Sequence, residues 1–383
     1  MFIVELSYNH ATLFKTYIDI FSHIGTVYGF MSAYRWKTMF SEDDRRYYGK
    51  NLFLWGKEIY ESRKGKLLDI VRQKMFFRSF LNSVFYPKKG DIFVFPTLDS
   101  HINPHIEILL PYMLFLKTKG VTVIGALHNT DFHGARGYAY QFSRSDFKYL
   151  DNYLRWLYWY SWMHAGKRQW SSLIDVMLTC GNIVIPSDIS KRVIIPTRFP
   201  TWVEDWIDKP FSVAITGGMS DSRIDWSVVF DVVKELSSIR FYFLGKMPEE
   251  KARMLQRFDN VVYFTSHIPE DEFVSLLRRV HAVWAPLSNH RYGIYTISGS
   301  IGADAIAFAI PAIVPSFYAS APEDIVFSRF DASHEAVSNI LALKKKFDTG
   351  EYIRYRKMVY AKLRRKYNSK RLARNIAEVI GSG

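Results

Sequence analysis

Along the chain, short apolar runs of strand length alternate with longer stretches in which apolar residues recur at helical period. In the first half, "FIVEL" (2–6), "LFLW" (52–55), "DIFVFP" (91–96), "VTVIGALH" (121–128), "DVMLTC" (175–180) and "RVIIPT" (192–197) read as strands. Helical stretches such as 12–24, 104–118 and 148–166 lie between them. The series then starts over with "FSVAITGG" (211–218), "IRFYFLG" (239–245), "NVVYFT" (260–265), "AVWAPL" (282–287) and "PAIVPS" (311–316), with helices expected at 226–237, 248–257, 270–280 and 300–309. Strand–helix alternation with continuously apolar strands predicts parallel sheets covered on both faces. Two successive α/β, Rossmann-like units are therefore expected, one over 1–205 and one over 206–383. The junction "RFPTWVEDWIDKP" (198–210), with two prolines and two tryptophans, suits a short packed linker.

Composition changes this picture little. A chain of 383 residues is longer than one hydrophobic core usually holds, and an apolar fraction of 48% can fill two. No window of about 18 uncharged apolar residues marks a spanning helix, and "MFIVELSY" has no signal-peptide pattern, so a cytoplasmic protein is expected. The single cysteine, Cys180, abuts an apolar strand and reads as a buried thiol in a reducing compartment.

Charge narrows the partners. Lys and Arg number 51 against 37 Asp and Glu, a net charge of +14, which favours an anionic partner: nucleic acid, an acidic membrane surface or a phosphorylated small molecule. The closing stretch "YIRYRKMVYAKLRRKYNSKRLARNIAEVI" is basic and helical, which also describes a plain solvated face.

Two segments carry candidate chemistry. In "VAITGGMSDSRIDW" a strand runs into Gly217-Gly218, a polar loop with Arg223, and a helix start. Glycines there admit close approach of an anion to backbone amides, and a guanidinium nearby suits phosphate; an ordinary strand-to-helix turn needs glycines as well. In "RYGIYTISGSIGADAIAFAIPAIVP" (291–315), Ser298, Gly299 and Ser300 precede a helix of small residues. Such an N-terminus can hold a diphosphate, or merely pack tightly on a sheet.

These residues resemble the nucleotide-sugar-binding domain of GT-B glycosyltransferases, most nearly glycosyltransferase family 4. "ADAIAFAIPAIV" is similar to the family's Glu-Ala-Met-Ala segment that ends in Pro-Val-Ile, which places Asp304 at its second Glu and Thr296, eight residues earlier, at its first; Gly299 matches the Gly of Phe-Gly. "NVVYFTSHIPEDEF" is similar to the family's base-binding strand and turn, where Thr265 falls. The family's Gly-Arg and following Lys map onto Gly217, Gly218 and Arg223, so one basic residue is lost and the other kept as Arg. The resemblance implies two domains facing across a cleft, with the last helix (about 366–383) crossing back to the first. It also implies transfer of a sugar, with retained configuration, from a nucleotide diphosphate to a hydroxyl of a glycan or lipid-linked acceptor. Asp304 would accept from the ribose, and Arg223 with the amides around Ser298 to Ser300 would stabilise the departing diphosphate without a metal. The Glu-to-Thr and Glu-to-Asp changes imply an altered donor pocket.

The first half adds His128 at a strand end, where the family places a cleft-facing His near the donor sugar, and "SYNH" (7–10), whose Asn9 and His10 are candidates for the acceptor side. Asp99, His101 and His105 at a further strand end could space a metal but have no acidic or cysteine partner at a recognised interval, and equally suit a cleft-lining loop; no Asp-x-Asp of the metal-dependent GT-A type occurs, so no metal or other cofactor is expected. "YLRWLYWYSWMHAGKRQW" (153–170), with Lys167 and Arg168, fits a buried helix, a membrane interface on the inner leaflet, or a stacking surface for single-stranded nucleic acid. A sugar transferase acting on nucleic acid, and a binding module that has lost the chemistry, stand as the rival functions.

Overall fold

A computed structural model describes residues 1–4, 11–33, 36–37, 40–55, 86–96, 106–127, 171–183, 189–221, 223–288 and 298–381. Strands β1 (Phe2–Val4), β2 (Tyr28–Ser32), β3 (Leu52–Trp55), β4 (Ile92–Phe95), β5 (Thr122–Leu127), β6 (Val176–Thr179) and β7 (Arg192–Ile194) form one sheet in the order β3-β2-β1-β4-β5-β6-β7. Strands β8 (Ser212–Thr216), β9 (Arg240–Lys246), β10 (Val261–Phe264), β11 (Ala282–Trp284), β12 (Ala312–Pro315) and β13 (Val326–Phe330) form a second, in the order β10-β9-β8-β11-β12-β13. Every pairing in both sheets is parallel. The expected pair of α/β units is therefore present.

Helices cover the sheets with apolar stripes. Helix α1 (Ala11–Phe21) buries Leu13, Phe14, Tyr17, Ile20 and Phe21, a set spaced by one helical turn, against Ile3, Val94 and Ile124. After α2 (Glu42–Tyr48) and α3 (Ile106–Thr118), α4 (Trp226–Glu235) does the same in the second unit with Trp226, Val229, Val232 and Val233, its N-terminus capped by Asp225. Helices α5 (Glu249–Leu255) and α6 (Glu270–Leu277) follow, then α7 (Ser333–Asp348), α8 (Glu351–Lys366) and α9 (Ser369–Gly381). Cys180 is buried in the first core.

Three elements differ from the sequence expectation. Strand β2, "YGFMS", has its apolar run interrupted by Gly29, and packing demands that glycine: a Cβ there would lie 2.7 Å from Phe14 Cζ and 3.1 Å from Leu52 Cδ1. Strand β13, "VFSRF", is a half-buried edge strand whose Arg329 donates to Tyr318 O at 3.0 Å, so polarity hides it. The segment expected as a helix over 300–309 begins as a π-helix, Ser300–Ala305, and is closed by Ala309 at φ 50°.

The last helix belongs to the first core. Leu372, Ala373 and Ile376 of α9 are buried among Leu13, Tyr17 and Ile20, and Lys191 Nζ donates to Val379 O at 2.8 Å. The chain thus leaves the second unit and returns to the first, as the resemblance implied. The segment between β7 and β8 binds the same neighbours: Thr16 Oγ1 donates to Thr197 O at 2.8 Å, and Thr201 N donates to Ala307 O at 2.8 Å. Truncating one fully buried side chain of α9 tests this crossing. Ile376→Ala is expected to lower the unfolding free energy by about 2 to 4 kcal/mol in urea denaturation; an unchanged midpoint would mean that α9 does not pack on the first sheet.

Candidate functional site

In the second sheet the chain moves outward from β8 through β9 to β10, then returns to the other side of β8 as β11. The connections that leave β8 and β11 therefore diverge and open a crevice at their carboxyl ends, the place where open α/β sheets bind ligands. Three segments meet there: Thr216-Gly217-Gly218 after β8, Ala285 to Ser288 after β11, and the π-helix, which packs on both strands.

The loop after β8 is built by close approach. Gly217 has φ +92°, a conformation that side chains rarely adopt, and its amide donates to Leu244 O at 3.1 Å. A Cβ on Gly245, the penultimate residue of β9, would lie 1.9 Å from Gly217 O, so β9 reaches this loop only because position 245 is glycine. Gly217 and Gly218 also make a bed for Arg223. A Cβ on the first would lie 3.3 Å from Arg223 Nη2, and one on the second 3.3 Å from Nη1 and from Cδ. The arginine backbone is fixed from the other side: Ser288 N donates to Arg223 O at 2.9 Å, Asp225 N donates to Pro286 O at 2.9 Å, and Ile224 bridges Leu287. A guanidinium is thereby held flat over a glycine turn at the switch point, a geometry suited to two oxygens of a phosphate.

Facing it is Asp304, on the π-helix. Thr216 Oγ1 donates to Asp304 Oδ2 at 2.6 Å. Burial pushes the carboxyl up from 3.8 to about 6; the Thr216 hydrogen bond and the charges of Arg198 and Arg223 oppose that rise, and Glu270 adds to it. Such a group accepts strongly from a hydroxyl donor, because water serves it poorly. Arg198, in the linker, ion-pairs with Glu270 at the start of α6, and its Nε is buried without a partner.

The seryl segment is arranged differently from the expectation. Ser298 and Ser300 are buried with their Oγ atoms 2.6 Å apart, and Ser298 N donates to the Tyr318 hydroxyl. That amide is already engaged, which leaves Gly299 and Ser300 to supply helix-end amides. The helix they open is short, and the charges of Arg198 and Arg223 act on its Asp304. Thr265 is exposed just beyond β10, two strands and about 10 Å across the sheet from β8. His128, Asn9, His10 and Thr296 lie outside the described residues, as do 97–105 and 153–170. The structure adds Thr216 and Arg198 to the set read from sequence. Thr216 had a faint signal, a hydroxyl closing an otherwise apolar strand; Arg198 had none.

No protein-family profile matches the chain, and no curated protein does. Solved structures do. Anabaena HepE in complex with UDP and glucose superposes over 100% of both chains with a TM-score of 0.60 and 12% identity. A glycosyltransferase from Rickettsia africae covers 99% of this chain and 96% of its own at a TM-score of 0.55 and 10% identity. An E. coli trehalose-6-phosphate protein bound to UDP-2-fluoro glucose covers 99% and 98% at 0.53 and 10%. The chain has the GT-B fold. At these identities the likeness is one of fold, and the GT-B chemistry must be argued from the residues of the crevice.

The raised Asp304 carboxyl gives a pH signature. A folded-state value above the unfolded one means that the folded chain holds the proton longer, so this group's contribution to stability falls as pH rises from about 4 to about 6. Asp304→Asn keeps an acceptor for Thr216 and removes that dependence. The variant is expected to match the parent near pH 4 and to exceed it by about 2 kcal/mol near pH 7, read by urea unfolding at both pH values. Equal stabilities at pH 7 would place the carboxylate in water.

Proposed function

We propose that this chain is a glycosyltransferase that takes a sugar from a nucleotide diphosphate and passes it to a hydroxyl acceptor. The observation that carries the reading is Arg223 laid across Gly217-Gly218 at the switch point of the second sheet, with Asp304 bonded to Thr216 beside it. HepE and the E. coli protein, which share the fold, were crystallised with UDP and with UDP-2-fluoro glucose respectively. The lost basic residue at Gly218 is what lets Arg223 lie down on the loop, since any side chain there would meet its guanidinium.

The chemistry follows from charge. When the bond between the anomeric carbon and the diphosphate oxygen breaks, the electron pair stays on that oxygen, and a fixed guanidinium with helix-end amides stabilises the charge without reorganising. The acceptor hydroxyl passes its proton to the departing diphosphate oxygen, which has just gained the electron pair, as its own oxygen bonds the anomeric carbon. Asp304 accepts from the ribose hydroxyls, and His128 contacts the sugar. Retention of configuration, independence of metal, and a glycan or lipid-linked acceptor belong to the same proposal. Thr296, where the resembling family has Glu, favours a second reading: a donor-binding module without turnover.

Titration calorimetry with UDP, GDP, ADP and CMP, and with the matching nucleosides, tests the donor site. One nucleotide is expected to bind selectively. Arg223→Ala is expected to weaken it by about tenfold to a hundredfold, the range for one charge-assisted contact, and to leave the weak nucleoside affinity alone. Binding of no nucleotide at all sinks the reading. Binding without hydrolysis or transfer of the matching nucleotide sugars selects the binding module.

A further inference from the structure

Helix α8 has two unlike faces. Tyr352, Arg356, Val359 and Leu363, spaced by four, three and four residues, form its buried stripe. The opposite stripe is exposed and carries Arg354, Lys357, Met358, Lys362, Arg364 and Arg365. No Asp or Glu occurs from Tyr352 to Ala377. Among the described residues the ion pairs that reach this helix are at its two ends, Lys346–Glu351 and Lys366–Asp324, so Arg354, Lys362, Arg364 and Arg365 make none. The positive face continues into α9, because Arg371 Nη1 donates to Arg365 O at 3.1 Å.

A row of cations about 17 Å long, from Arg354 to Arg365, attracts phosphate, and its apolar content says whose. Single-stranded nucleic acid is held by rings that stack on bases. Here the rings are engaged elsewhere: Tyr352 and Tyr367 are buried, Tyr355 packs edge-on to Phe327 at 5.6 Å, and Tyr360 packs on Trp202 at 5.5 Å. What stands among the cations instead is Met358, 45% exposed, a flexible thioether able to enter an interfacial layer. We propose that this face of α8, extended by Arg371, docks on an anionic phospholipid surface. Among the described residues no helix is long and apolar enough to span a membrane, so such contact would be peripheral.

This inference stands apart from the donor site, since none of these residues borders the crevice. Co-sedimentation of the whole chain tests it, with vesicles of phosphatidylcholine alone and of phosphatidylcholine with about one-third phosphatidylglycerol. The chain is expected to pellet with the anionic vesicles only and to be released by high salt. Each Lys or Arg near such a surface strengthens binding about fivefold, so Gln at 354, 362, 364 and 365 together should weaken it by more than about a hundredfold. The four sites are exposed, and the variant is expected to keep the parent's Tm and nucleotide affinity. Binding to neither vesicle, undiminished binding by the variant, or tighter binding to a short RNA than to anionic vesicles at equal salt would each overturn the proposal.

Discussion

The reversal of strand order between β8 and β11 is the constraint on which the candidate site rests. Two parallel strands whose connections diverge cannot fill the space beyond their own ends, so that space must be lined by whatever the next residues are. Here they are a threonine, two glycines and a short helix of small residues, and one guanidinium lies against the glycines. The glycines are explained by geometry before any ligand is considered. Gly245 lets β9 close on Gly217, and Gly217 with Gly218 lets Arg223 lie flat. A packing requirement and a binding requirement thus select the same residue type, which is why sequence alone left them undecided.

Asp304 shows the tension between stability and use. A half-buried carboxylate is costly to ionise, and one hydroxyl hydrogen bond does not fully offset that cost. A fold selected for stability alone would place an apolar residue or an amide there. The charges that soften the cost come from two separate elements, the linker through Arg198 and the loop after β8 through Arg223, while Glu270 on α6 adds to it. Motion of the linker would therefore alter the field at Asp304 directly.

That distribution also explains what could be read in advance. Strands buried on both faces announce themselves as apolar runs, and all eleven runs contain strands of the two sheets, with shifted boundaries. Strands β2 and β13 escaped because each carries a residue set by tertiary contact, Gly29 under Phe14 and Arg329 against Tyr318 O. Gly217, Gly218 and Arg223 could be singled out because they follow a strand directly, and Asp304 because "ADAIAFAIPAIV" resembles a family segment. Arg198 was not, because a linker residue has no periodicity and its partner Glu270 is 72 positions away. The expectation of free amides at Ser298 failed for a similar reason: its acceptor, the Tyr318 hydroxyl, comes from a later turn that no local pattern ties to it.

The buried side of α8 makes its exposed side possible. Arg356 is fully buried, lies 4.5 Å from the Trp206 ring, and donates to Val280 O at 3.3 Å and Phe308 O at 3.0 Å. Beside it, burial and the Arg356 charge hold His281 down at about 3, so its imidazole stays neutral and the guanidinium is the one charge that cluster must carry. The Tyr352 hydroxyl donates to His281 O, which pins the helix start to the end of the preceding strand connection. A helix anchored by so many specific bonds on one stripe needs no ion pairs on the other. Its remaining cations are left to solvent, or to an anionic surface large enough to meet several of them at once.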